Sequence, residues 1–303
     1  MSGITAAAWV PSAQAFYLLK PSTREYFVLS TNGSVTGPTA LKGTGTVAQY
    51  VFGASATDVF FVTGTTLVRQ PISGAAELQR SLPGPPTPAL LTGAYANGWF
   101  FVGNAGGACQ ALQDGMPTLD SGADNLSGVY VVTTDVTSFA FRTIGAANQA
   151  ALHRIAAGAF ALNSSPCSAG AFSTNSGSPV GVYGSTVAWV IQLPLNNPYQ
   201  LNVATLSGGT CSAPAQVDFG TSGTGSQAVG LIDDSHALVT PTAVTGGSAT
   251  IAMLDAQDQL FTRATRSVSM GANGFPVMFV VGREATTHHA VLVTKNIPAL
   301  ISF

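Results

Sequence analysis

The chain has 303 residues, 46% of them hydrophobic and only 8% charged, with 11 basic and 13 acidic side chains and a formal net charge of −2. That length supports a large core, while a near-neutral balance without a Lys/Arg cluster excludes nucleic-acid binding driven by counterion release. No apolar run reaches the roughly 18 residues of a membrane-spanning helix, so solubility rests on Ser, Thr, Asn, Gln and backbone groups.

Along the chain a ten-residue pattern recurs seven times without a gap. It reads WVPSAQAFYL from Trp9, GASATDVFFV from Gly53, GAYANGWFFV from Gly93 and VTTDVTSFAF from Val132, then GVYGSTVAWV from Gly181, GLIDDSHALV from Gly230 and GANGFPVMFV from Gly271. The starts are 44, 40, 39, 49, 49 and 41 residues apart. A period near forty with strand-like content predicts a seven-bladed β-propeller, all-β, with about 43 residues per four-stranded blade. Each decamer reads as small residues ending one strand, a polar turn such as Asn97-Gly98 or Asp233-Asp234, and a new strand opening on aromatic and β-branched residues. The expected blades are 1–44, 45–84, 85–124, 125–174, 175–222, 223–266 and 267–303, together one closed domain.

Blade two shows the plan: strand a VAQYVFG, b DVFFVTG, c TLVRQPISG, d AAELQRSL. Blade five repeats it as PVGVYG, TVAWVIQL, YQLNVATL and SAPAQVDF. Blade one is expected to begin with ITAAAWV and blade seven to run from SVSMGAN to PALISF, with closure by packing between them. The seven innermost strands so assigned contain no Asp, Glu, His, Lys or Arg. Axial metal sites need such ligands, so no metal and no cofactor is expected. The three cysteines, Cys109, Cys167 and Cys211, fall late in successive repeats. There they should lie farther apart than the roughly 7 Å a disulfide spans, so no bridge is expected.

The run ATDVFFVTGTTLVRQPISGAAELQ, Ala56 to Gln79, resembles bacterial repeats of the broad YWTD/NHL-like propeller group, with Phe60-Phe61 where those carry Tyr-Trp. The resemblance covers about two blades in residues and the whole chain in period. It implies a propeller and a binding platform, and identifies no ligand.

Charges are sparse enough that their placement matters. GREATTHH reads as the b–c connection of blade seven, bringing Arg283, Glu284, His288 and His289 beside Lys20, Arg24 and Glu25 in the matching loop KPSTREY of blade one. The expectation is one polar sector on one face, with Glu284 and His288 as the acid–base candidates. The loop LPLNNPYQ of blade five offers Asn196, Asn197 and Tyr199, the amide-plus-ring chemistry of sugar sites. Asp233, Asp234 and His236 read as a capped turn. No G-x-S-x-G, P-loop, H-E-x-x-H or G-x-G-x-x-G motif occurs. The expected function is a non-catalytic binding or scaffold propeller for a protein or carbohydrate ligand. The alternatives are a lyase or hydrolase, or a component of a surface or virion assembly with lateral self-association. The N-terminus, MSGITAAAWV, lacks the parts of a signal peptide. The low charge density nonetheless favours an extracellular or cell-surface setting.

Overall fold

A computed structural model describes residues 1–82, 91–104, 110–113, 119–120, 129–135, 137–144, 150–156, 167–168, 180–192, 199–207, 210–219, 228–240, 247–255, 262–271, 276–284, 287–294 and 298–302. Blade one is the meander β1 (Ala6–Val10), β2 (Ala15–Lys20), β3 (Glu25–Ser30), β4 (Val35–Ala40). Blade two is β5 (Val47–Ala54), β6 (Asp58–Thr63), β7 (Thr66–Pro71), β8 (Leu78–Ser81). Blade three is β9 (Leu91–Ala96), β10 (Trp99–Asn104), β11 (Gln110–Gln113), β12 (Leu119–Asp120). Blade four is β13 (Val129–Thr134), β14 (Ser138–Ile144), β15 (Ala150–Ala156), β16 (Cys167–Ser168). Blade five is β17 (Val180–Tyr183), β18 (Thr186–Gln192) and β19 (Tyr199–Ser207), with β20 (Thr210–Cys211) and β21 (Ala215–Phe219) both paired to β19. Blade six is β22 (Val229–Leu231), β23 (His236–Val239), β24 (Gly247–Asp255), β25 (Thr262–Gly271). Blade seven is β26 (Pro276–Arg283), β27 (His288–Thr294), β28 (Ala299–Ser302), three strands among the described residues.

The innermost strands β1, β5, β9, β13, β17, β22 and β26 touch in that order, and β26 touches β1, so the meanders form a ring. The hydrophobic clusters sit between blades rather than within them. One joins blades one and two through Tyr17, Phe52 and Phe61, and another joins blades six and seven through Leu238, Phe279 and Leu292. The ring closes by packing, with Ile4, Phe16 and Leu18 of blade one against Val291 and Val293 of blade seven. One seam differs: β5 and β9 pair in parallel through Tyr50–Thr92 and Val51–Gly93, fusing blades two and three into an eight-stranded sheet.

The repeating glycine is explained by these seams. A β-carbon on Gly53 would lie 2.4 Å from Cβ of Tyr95 in the next blade. On Gly230 it would lie 2.7 Å from Cβ of Phe279, and on Gly282 2.5 Å from the Trp9 ring. The glycines therefore lie on innermost strands, where the next blade's aromatic side chain takes the place of their own. Asn97 and Gly98, at φ 41° and 82°, form the two-residue turn between β9 and β10 with the positive φ at both positions that a type I′ turn requires.

Three expectations need correction. In blade seven the decamer from Gly271 spans the end of β25 and the start of β26, thus crossing from blade six to blade seven. SVSMG belongs to the outer strand of blade six, β26 is the innermost strand, and Gly282 is the residue equivalent to Gly53 and Gly230. Gly271 followed by Phe and Val imitates the pattern, and periodicity alone does not separate the two registers. Second, the innermost strand of blade seven therefore ends in Arg283, so the inner ring does carry a charge. Third, Cys211 is disulfide-bonded. It lies on β20, which pairs with β19 just ahead of β21, so the blade-based spacing argument does not hold at this position.

Replacing Gly53 or Gly230 with Ala is expected to cost about 1–3 kcal/mol by overpacking a seam. Gly64→Ala, where nothing lies within 4 Å, pays only for its φ of 57°. Denaturant midpoints of the three variants test the difference.

Candidate functional site

The described a–b turns of blades one, two and three and the Thr134–Asp135 turn of blade four gather at one end of the ring, and a cavity of about 280 Å³ opens there. Its walls are β1, β5, β9 and β26, with the Thr134–Asp135 turn of blade four. Alanines 6, 7, 8, 54 and 94, Val280 and Val281 line it together with Trp9, Tyr50 and Tyr95, and the exposed polar residues Ser12 and Asn97 stand at the rim. Tyr95 is braced by Phe60, ring centroids 4.8 Å apart, and Trp9 by Phe16 at 4.7 Å. The indole nitrogen of Trp9 is buried and has no hydrogen-bond partner among the described residues.

Arg283 leaves β26 at the same end and reaches away from this cavity. Its guanidinium donates to the carbonyls of Ile232 at 3.0 Å and Leu231 at 2.7 Å in blade six, and of Val182 at 3.4 Å in blade five. It lies 4.6 Å from the centre of the Tyr183 ring. Burial lowers its pKa, while the charges of Asp135, Tyr183 and Asp233 oppose that shift. Asp135 is bound in turn. Its Oδ1 accepts the N–H groups of Thr137 and Ser138, each at 2.6 Å, and the Thr137 hydroxyl at 3.1 Å. Its Oδ2 accepts the Gly184 N–H, while Arg154 donates to the Gly184 carbonyl and to Ser138 Oγ. A hydrogen-bonded belt of Arg283, Asp135 and Arg154 thus ties blades four to seven together at the mouth, and the cavity lies against β1, β5, β9 and β26.

The seven ionisable residues expected to share one sector do not. The segment 283–289 is the a–b connection of blade seven, whereas Lys20, Arg24 and Glu25 flank a b–c turn at the other end of the ring. The two were equated because the blade-seven register was displaced by one strand. Arg24 serves the seam of blades one and two, donating to the carbonyls of Lys42 at 3.2 Å, Gly43 at 2.7 Å and Gly45. Glu25 accepts the Thr23 hydroxyl at 2.5 Å, and Lys20 is half-buried. Glu284 pairs with His289, Oε1 to Nε2 3.6 Å, rather than with His288, and Nδ1 of His289 meets Ser302 Oγ at 2.9 Å. His288 Nδ1 is buried without a hydrogen-bond partner among the described residues.

In the blade-five loop, Asn196 and Asn197 lie outside the described residues. Tyr199 is corrected: only 3% exposed, it packs against Phe219 in the seam of blades five and six, so its ring has no face for a sugar. An aromatic residue opening a strand packs inward, and the preceding loop residues disguised that. Asp233 caps its own turn, accepting the backbone N–H groups of Ser235 and His236 at 2.8 and 2.7 Å and contacting His236 Nδ1 at 2.8 Å. Among the described residues no three His, Cys, Asp or Glu side chains converge as a metal site. No described helix is long and apolar enough to cross a membrane. The cavity went unnoticed in the sequence. Its signal was the run of alanines and tyrosines on three consecutive innermost strands.

Two outcomes follow from these positions. Burial lowers the pKa of His153 from 6.5 to about 4. The folded state thus holds this imidazole neutral, and that stability is present above pH 6.5 and is lost as the pH falls towards 4. The loss is on the order of 2–3 kcal/mol, and His153→Leu should flatten that limb of a melting-temperature profile. Arg283→Lys cannot span carbonyls of two blades and should destabilise by about 1–3 kcal/mol in a denaturant titration.

No family model matches the chain, and no curated protein matches it. Solved structures do. Hydrazine synthase of Kuenenia stuttgartiensis is 12% identical, with a TM-score of 0.69 over 99% of this chain and 96% of that one. The Pan2 WD40 domain of Neurospora crassa is 10% identical, with a TM-score of 0.64 over 97% and 86%. A streptogramin B lyase is 13% identical, with a TM-score of 0.61 over 99% and 94%. WD40 repeats build propellers. Identities this low carry the fold and not the activity: the chain is a β-propeller.

Proposed function

We propose that the chain is a single seven-bladed propeller of about 43 residues per blade that serves as a non-catalytic binding or scaffold module, engaging a protein or carbohydrate ligand through the face of its a–b turns. One observation carries this reading. Arg24, Arg283 and Asp135 are spent on holding blades together, while the a–b mouth presents a cavity with exposed polar rim residues. Ligand sites commonly combine concave apolar walls with a few placed polar groups. The YWTD/NHL-like character of Ala56–Gln79 is part of the same proposal, as is lateral self-association in a surface or virion assembly. The disulfide at Cys211 favours an oxidising setting, in keeping with an extracellular or cell-surface location.

A lyase or hydrolase is the second reading, favoured by the 3.6 Å approach of Glu284 to His289. It is weaker because neither residue lines the axial cavity.

The test pairs a glycan array and chemical cross-linking to candidate protein partners with two surface variants. Ser12→Arg/Asp234→Arg alters the a–b face, and Lys20→Glu/Glu25→Lys the opposite one. Binding is expected to fail in the first and persist in the second. The reverse pattern would move the site to the b–c face, and turnover lost on His289→Gln would replace the binding reading with the enzymatic one.

A further inference from the structure

We propose that the axial cavity at the a–b mouth is a binding site for an uncharged, ring-bearing small molecule of one or two fused rings. The proposal concerns a free ligand and goes beyond the partner-binding role, so it stands whether or not a macromolecule docks on the same face.

Size is the first argument. An apolar protein cavity of about 150 Å³ accommodates benzene, and this one, at about 280 Å³, has room for a bicyclic compound. Nothing in the packing requires the space. The other sector of the same mouth is filled by Arg283, Tyr183 and the Asp135 turn, whereas Ala7, Ala8, Ala54 and Ala94 leave this one open.

The charge of the walls is the second argument. The described residues lining the cavity supply no cation, and Asp135 is the only carboxylate among them. Its oxygens already accept bonds from Thr137, Ser138 and Gly184, and its charge acts on Arg154 and Arg283. An anionic ligand would meet no cation among the described wall residues, and a cationic one would compete for a carboxylate already in use. Desolvating either without a partner is costly.

The third argument is the shape of the chemistry. Trp9, Tyr50 and Tyr95 add apolar surface to the lining, and the rings of Trp9 and Tyr95 are fixed in the seams by Phe16 and Phe60. A sugar seated inside the cavity, rather than across the a–b face, would bury most of its hydroxyls against alanine and valine. A planar apolar body with one polar substituent directed to the Ser12 and Asn97 rim fits the walls better.

The experiment uses the whole chain, with saturation-transfer NMR and titration of tryptophan fluorescence. The probes are 2-naphthol, 2-naphthoate, 2-naphthylmethylamine and glucose. We expect 2-naphthol to bind at least tenfold more tightly than the other three. Ala94→Phe, which fills the cavity, should abolish binding. Ser12→Arg, an exposed rim substitution that leaves the core untouched, should weaken it several-fold even if the first variant folds poorly. No binding of 2-naphthol at millimolar concentration overturns the proposal. So does equal binding of the charged probes or glucose, and so does binding unchanged in both variants.

Discussion

At Gly53, Gly230 and Gly282 the neighbouring blade stands where a β-carbon would be. This close approach sets the geometry of the ring. It lets an aromatic side chain of one blade lie directly against the innermost strand of the one before, which is why the buried clusters fall at the seams. Once the innermost strands are this near, their ends and turns converge at the mouth, and any difference in side-chain size there becomes either a plug or a void.

The few charges follow from the same proximity. Where two blades meet, carbonyls at strand ends and linkers face each other without partners of their own. A guanidinium with its several donors can serve more than one of them. Arg24 does this between blades one and two, Arg283 across blades five, six and seven, and Arg154 with Asp135 around Gly184. In a chain with 8% charged residues, each such side chain used as a fastener is unavailable for chemistry.

The architecture was legible because its signals are local and repeated. Asn97-Gly98 announces a tight hairpin, and the strands read in blades two and five each overlap an observed strand, the inner two of each blade to within a residue at either end. The errors arose where a decision depended on a distant part of the chain. Gly271 and Gly282 are both glycines beside apolar strands, and only the partner across the seam, Trp9 against Gly282, tells which is innermost. That one-strand displacement moved Arg283, Glu284, His288 and His289 to the wrong end of the ring. Tyr199 was misjudged for a related reason, since its environment is set by Phe219 twenty residues later. A cavity is harder still to foresee, because it is made by what several strands lack.

The parallel pairing of β5 with β9 gives this ring an unequal circumference. Among the described residues the other joints rely on side chains meeting across a gap, and these can slide or part when blades are pulled. This joint is stitched by main-chain bonds as well. Under mechanical load or partial opening, blades two and three should therefore travel as one rigid plate, and the ring should come apart somewhere else.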